Sequence, residues 1–178
     1  RIPIAHIQGG ELTFGATDDA MRHSITKMSM LHFTYTEDYR SRVIQLGENP
    51  KNVFNVGGLN SEVIKKMNLL NKSKLENKIN FCFGEINCLV TYHPVTLEKD
   101  TSEIHFSNLL KVLEKLDDMK IVFTKTNADA EGRIINEMID KFVSNNKERS
   151  IAFTSMGQLL YLSTMNQSNI VVGNSSSG

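Results

Sequence analysis

The residues most able to do chemistry lie in one stretch, HIQGGELTFGATDDAMRHSITK, from His6 to Lys27. It leaves a short apolar strand at residues 2–7, passes a Gly9-Gly10 turn and a second glycine at 15, and enters a helix at Thr17-Asp18-Asp19. Between strand end and first helical turn stand Gln8, Glu11, Asp18, Asp19, Arg22 and His23. Two carboxylates at separate backbone positions can divide proton removal and proton delivery between them. The strand end is the right place for this, because ligands of open parallel sheets bind at the carboxyl ends of the strands. The competing reading is a helix start with Thr17 as N-cap and two acids complementing the dipole. In that reading Arg22 pairs with Asp18, and His23 with Asp19, at the i, i+4 spacing. Glu11 and the Gly-Gly turn just upstream tip the balance toward function.

A second set of polar residues follows the apolar strands of the later chain. His93 with Thr96, Lys125 with Asn127, Thr154-Ser155, and Asn174 to Ser177 each close one strand. In a doubly wound sheet these ends meet along one edge. Ser175-Ser176-Ser177-Gly178, opening a helix, can cradle a phosphate through free backbone amides. Nothing matches the Gly-rich phosphate loop with its Lys-Ser/Thr pair, which argues against a P-loop NTPase.

The elements that position these groups follow from periodicity. Met21, Ile25 and Met28 predict the buried face of the first helix. A strand at 31–35, a helix capped by Thr36 with Tyr39, Val43 and Leu46 inside and Gly47 at its end, a strand at 53–56 and a short helix at 62–67 come next. Residues 68–78, rich in Lys and Asn, mark an interdomain connection. Its second half carries a helix through Leu75, Ile79 and Cys82 as far as Phe83, ended by Gly84. Strands near 88–92, 121–124, 151–153 and 170–172 then alternate with helices around 106–113, around 135–142 and after Ser155. Short apolar strands alternating with amphipathic helices predict an α/β fold with parallel sheets covered on both faces.

The chain has 178 residues, is 40% hydrophobic and carries no net charge. That balance points away from nucleic acid and membrane surfaces as partners. No apolar run approaches the roughly 20 residues of a membrane span, and no signal peptide is seen. The two cysteines, Cys82 and Cys88, read as reduced and packed in a cytoplasmic protein, with no metal site. Both ends read as cut: Arg1 stands in a strand already under way, and Gly178 stops at the start of a helix.

The motifs HIQGGE, DDAMRHSITK, TYHPVT, FTKTNADAEGR and VVGNSSSG resemble, in order, those of the UDP-N-acetylglucosamine 2-epimerases. They look most like the hydrolysing branch that supplies N-acetylmannosamine, or a bacillosamine-derived analogue, for sialic-acid-type sugars. The resemblance implies two Rossmann-like halves arranged as in GT-B glycosyltransferases. Residues 1–70 would be the later part of the first half, and 71–178 most of the second, UDP-binding half. By motif match, His93, Asn127, Ser175 and Ser176 would contact the nucleotide, with His93 also assisting departure of the pyrophosphate. Glu11 and Asp18 would be catalytic carboxylates, supported by Asp19 and Arg22. The partner would be a UDP-sugar, with no cofactor or metal required, and the assembly a homo-oligomer, dimer or tetramer.

Many members, especially the non-hydrolysing ones, carry Glu where this chain has Gln8, which cannot act as a base. Glu11 is therefore the better candidate. An acidic residue and phosphate-side loop expected before Arg1, and an acidic residue expected after NSSSG to hold the ribose, lie outside the sequence, so the fragment alone is expected to be inactive. A GT-B glycosyltransferase shares the nucleotide site but does not need the GGE…DD pair. A non-catalytic sugar-nucleotide sensor would not need Glu11, Asp18 and Arg22 intact.

Overall fold

The structure is a computed structural model that describes residues 2–13, 17–94, 101–126 and 130–174. The chain divides into two compact units, Arg1–Lys66 and Met67–Gly178.

The first unit holds a parallel sheet in the order β1-β2-β3, formed by Ala5–Ile7, Leu31–Thr34 and Val53–Asn55. Helix α1 (Asp18–Met28) connects β1 to β2, and α2 (Glu37–Gln45) connects β2 to β3 through a short turn at Pro50–Asn52. Helix α3 (Leu59–Lys66) follows β3 and begins earlier than its periodicity predicts. Thr36 caps α2 as expected, its hydroxyl accepting from the Tyr39 amide at 3.2 Å. Gly47, at φ 96°, ends the same helix.

Two expectations for α1 fail. Thr17 takes helical dihedrals and its side chain makes no capping bond. The Met21, Ile25 and Met28 face is not buried: Met21 and Met28 are each 63% exposed. The side chain that α1 buries is Thr26, because its hydroxyl meets His6 on β1. The periodicity was real, but the sheet receives the polar stripe beside it.

The second unit holds a parallel sheet in the order β6-β5-β4-β7. Its strands are Ile86–Thr91 (β4), Met119–Thr124 (β5), Ser150–Phe153 (β6) and Ile170–Gly173 (β7). Helix α4 (Lys72–Ile79) precedes β4, and α5 (Ser102–Glu114), α6 (Ala130–Asn145) and α7 (Gly157–Gln167) connect the strands. Alternate strand residues serve opposite faces. Cys88, Val90, Ile121 and Phe123 pack with Phe106, Ile135, Ile139 and Phe142 on one side. Leu89 and Val122 pack with Leu75, Ile79, Phe81 and Met156 on the other. Each fully buried Leu, Ile or Phe contributes about 1.5–3 kcal/mol. This two-faced burial is why the strands read as continuous apolar runs.

Local ends differ from expectation in two places. Helix α4 stops at Asn80, which adopts the left-handed conformation (φ 51°), before Gly84 is reached. Cys82 is consequently turned outward and exposed, while Phe81 and Phe83 turn in. Cys88 is buried, and burial pushes its thiol pKa up to about 11. Ser155 does not cap α7, which begins at Gly157 behind Met156.

Candidate functional site

At the end of β1 the chain leaves the sheet through Gln8, whose φ of 70° is rare for a residue with a side chain. Strained backbone of this kind tends to gather at functional sites. Gly10 follows at φ 80°, and a Cβ there would stand 2.2 Å from the Tyr39 carbonyl oxygen. Only glycine lets this turn press against α2. The Arg42 guanidinium of α2 donates to the Gly10 carbonyl and fixes the turn from the same side.

The turn aims the polar residues into one network. The Gln8 amide donates to the Glu11 carboxylate at 2.7 Å. Arg22 of α1 donates to the Glu11 main-chain carbonyl and to the Thr13 hydroxyl, both at 3.1 Å, and pairs with Asp19 at 3.3 Å. Asp19 in turn accepts from the Thr13 amide at 3.0 Å and lies 3.9 Å from His23. Arg22 thus chooses Asp19, not the predicted Asp18. Asp19 and Arg22 hold the loop that carries Glu11. Asp18 is left to line a pocket of about 280 Å³ with His6, Ile7, Gln8, Met21, Arg22 and Ile25.

Behind the turn lies a polar layer that sequence reasoning missed. His6 and His32 face each other across the β1–β2 ladder. His6 bonds the Thr26 hydroxyl at 3.1 Å. Burial, then the neighbouring His32 and Arg22, hold its pKa below the usual histidine value. His32 is fully buried, with its Nε2 3.3 Å from Glu48 but out of line for a hydrogen bond. Lys27 bonds Glu48 at 2.5 Å and, ahead of His32, keeps that carboxyl below its usual range against the opposing effect of burial. The available signal was the pair of histidines on two predicted strands.

In the second unit three strand ends are joined at His93. Its ring Nδ1 bonds the Thr126 hydroxyl after β5 at 3.1 Å. Its backbone amide donates to the Asn174 side chain at 2.8 Å, and the Asn174 amide donates back to the His93 carbonyl at 2.7 Å. Asn136 of α6 clasps the Thr126 backbone in the same two-sided way, at 3.0 and 3.1 Å. His93 therefore stands where β4 meets β7, the point at which strand order reverses and ligands of such sheets bind. Gly173 permits that approach: a Cβ there would lie 1.8 Å from the Thr91 carbonyl oxygen. Lys125 is turned away into an ion pair with Asp140 at 2.6 Å. Asn127, Ser175 and Ser176, like Thr96, fall outside the described residues.

A cavity of about 510 Å³ lined by Asp117, Asp118, Lys120 and residues 145–149 lies before β5 and β6, at the sheet edge opposite His93. Its charges are mixed, and two of its cations, Lys120 and Arg149, are bound to backbone carbonyls.

Among known proteins, the chain is 45% identical over 177 residues to the GDP/UDP-N,N'-diacetylbacillosamine 2-epimerase (hydrolyzing) of Campylobacter jejuni, covering 99% of this chain and 46% of that one. It is 39% identical to the polysialic acid biosynthesis protein P7 of Escherichia coli, covering 99% of this chain and 45% of that one. The chain spans about half the length of the curated relatives it matches. Its fold is that of the S. aureus MnaA-UDP co-structure (TM-score 0.73, 16% identity, 98% of this chain and 46% of that one). The UDP-GlcNAc 2-epimerase from Neisseria meningitidis bound to UDP-GlcNAc is equally similar (TM-score 0.73, 17% identity, 98% and 48%). The UDP-N-acetylglucosamine 2-epimerase family model matches residues 1–178, and the chain belongs to that family.

Proposed function

We propose that this chain is part of a hydrolysing UDP-sugar 2-epimerase, which releases UDP and a free 2-acetamido sugar inverted at C2. The observation that carries the proposal is the loop after β1. Gln8 orients Glu11, Arg22 and Asp19 fix the backbone around it, and Asp18 lines the adjoining pocket. A helix cap alone needs none of the first three contacts.

In a UDP-α-2-acetamido sugar the C1–O and C2–H bonds are antiparallel, so UDP leaves by anti elimination as a carboxylate takes the C2 proton. The C2 proton is weakly acidic, so departure of UDP runs ahead of proton transfer and C1 gains cationic character. His93 and, by motif match, Ser175 and Ser176 would steady the departing pyrophosphate. Water then adds at C1 of the resulting glycal, and C2 receives a proton on its other face. Glu11 and Asp18 supply the separate acid and base. In this reading residues 1–70 serve the sugar and 71–178 the UDP.

Two substrates are favoured by different findings. The family name favours UDP-N-acetylglucosamine, giving N-acetylmannosamine. The Campylobacter jejuni relative favours UDP-diacetylbacillosamine. The test is to supply the full-length protein with each in heavy water. Free C2-deuterated sugar and UDP support the proposal, and the faster substrate identifies the sugar. Transfer of an unepimerised sugar to an acceptor would support a glycosyltransferase instead. Binding without turnover would support a sensor.

A further inference from the structure

The pocket beside Asp18 contains a group that the two-carboxylate scheme does not use. His6 lines it, although the residue is only 8% exposed. The bonds around it favour one tautomer. The Thr26 hydroxyl donates its single proton to the Arg22 carbonyl at 3.1 Å. With that proton so used, the hydroxyl accepts from His6, an arrangement that favours the tautomer with the ring proton on Nδ1. In a neutral imidazole that leaves Nε2 as a bare acceptor. Nε2 has no hydrogen bond among the described residues and, unlike both ring nitrogens of His32, is not sealed from solvent. The ring is held in place from below: a Cβ on Gly9 would lie 3.1 Å from Nδ1, so the backbone of the turn packs directly on the imidazole.

We infer that His6 is a further proton-accepting residue of this pocket, presenting Nε2 to the water that adds to the sugar. The inference rests on the proposed 2-epimerase reading. In the hydration step the water oxygen bonds to C1 and its proton passes to Nε2. The C1=C2 electron pair takes a proton at C2 from a carboxylic acid of the site. His6 ends as imidazolium and the acid as carboxylate, and both are reset by exchange with solvent. The surroundings keep the resting ring neutral. His32 faces it from β2 and Arg22 from α1, with Glu48 and Lys27 beyond His32 and Asp18 on the pocket wall.

The test uses the full-length protein and the variant His6→Asn, whose amide can still donate to Thr26 but cannot take a proton. Turnover should fall about a hundredfold, the scale of a lost general base. UDP affinity and melting temperature should stay near wild type, and the acid-side fall of wild-type turnover below pH 6.5 should vanish. Turnover within about threefold of wild type would overturn the inference, as would a loss matched by weaker UDP binding or lower melting temperature. Nitrogen-15 spectra of the histidines in wild-type protein decide the tautomer independently. An unprotonated Nε2 on His6 at pH 7 supports the inference, and a proton there overturns it. Should the wild type release no sugar at all, the 2-epimerase reading fails, and the role inferred for His6 in it fails too, whatever the tautomer.

Discussion

The two units use the same parallel sheet and fill it differently. In the second, both faces are apolar, from Leu89 and Val122 on one side to Phe106, Phe123 and Ile135 on the other. In the first, Val43 and Val53 are the buried hydrophobic side chains among the described residues, and His6, Thr26, His32 and Thr34 are buried beside them. Of the polar ones, His6 lies under the Gly9-Gly10 turn and Thr26 bonds its ring. Packing apolar groups there would cost less desolvation. The difference suggests that the first sheet gives up stability to support its loop, while the second is built first for stability and carries its site in a few strand-end hydrogen bonds.

Core truncations sharpen that contrast most. Phe106→Ala should cost about 3–5 kcal/mol, as for other large-to-small changes at fully buried aromatics. His32→Leu should change stability by no more than about 1 kcal/mol, because it removes a buried Nδ1 that lacks a partner while Glu48, which loses Nε2, keeps its bond to Lys27. Urea denaturation measures both. A His32→Leu penalty as large as that of Phe106→Ala would mean the polar layer is a load-carrying core and not a support for the loop.

Acid should expose the same contrast more gently. The folded pKa of His6 lies below its unfolded value of 6.5, so the unfolded chain takes up a proton first. Stability is therefore full above pH 6.5 and falls as the pH drops toward the folded pKa. Glu48, also lowered, adds a second loss that begins below 4.5. A melting-temperature series should show both steps, and His6→Asn should erase the first. A flat profile between pH 6.5 and 5 would contradict the placement of His6.

These contrasts also explain what the sequence could say. The central strands of the second sheet were legible because two-sided burial writes Cys88–Val90 and Ile121–Phe123 as unbroken apolar runs. In the first unit the same logic misplaced Met21, Ile25 and Met28, since the side chain α1 buries is Thr26 and apolar periodicity cannot register a buried hydroxyl. The Gln8–Arg22 stretch was legible as a cluster, from residue types at a strand end. Its wiring was not: choosing Asp19 over Asp18 for Arg22 depends on where residues 11–13 fold back, which no spacing rule encodes. His93 was found from its strand-end position and the TYHPVT motif. Thr126 and Asn136, which hold it, are ordinary polar residues until the strands are side by side.

The central claim is that nucleotide binding and proton chemistry belong to different residues: His93 for UDP, Glu11 and Asp18 for the sugar. The most direct measurement is calorimetric UDP affinity set beside turnover for His93→Ala, Glu11→Gln and Asp18→Asn in the full-length protein. His93→Ala should weaken UDP binding by about tenfold, the equivalent of ~1.4 kcal/mol. The two carboxamide variants should bind UDP as wild type does while turnover drops about a hundredfold or more. Accumulation of the glycal in only one of them would assign elimination and hydration separately. Unchanged UDP affinity in His93→Ala, or near-normal turnover in both carboxamide variants, would contradict the account.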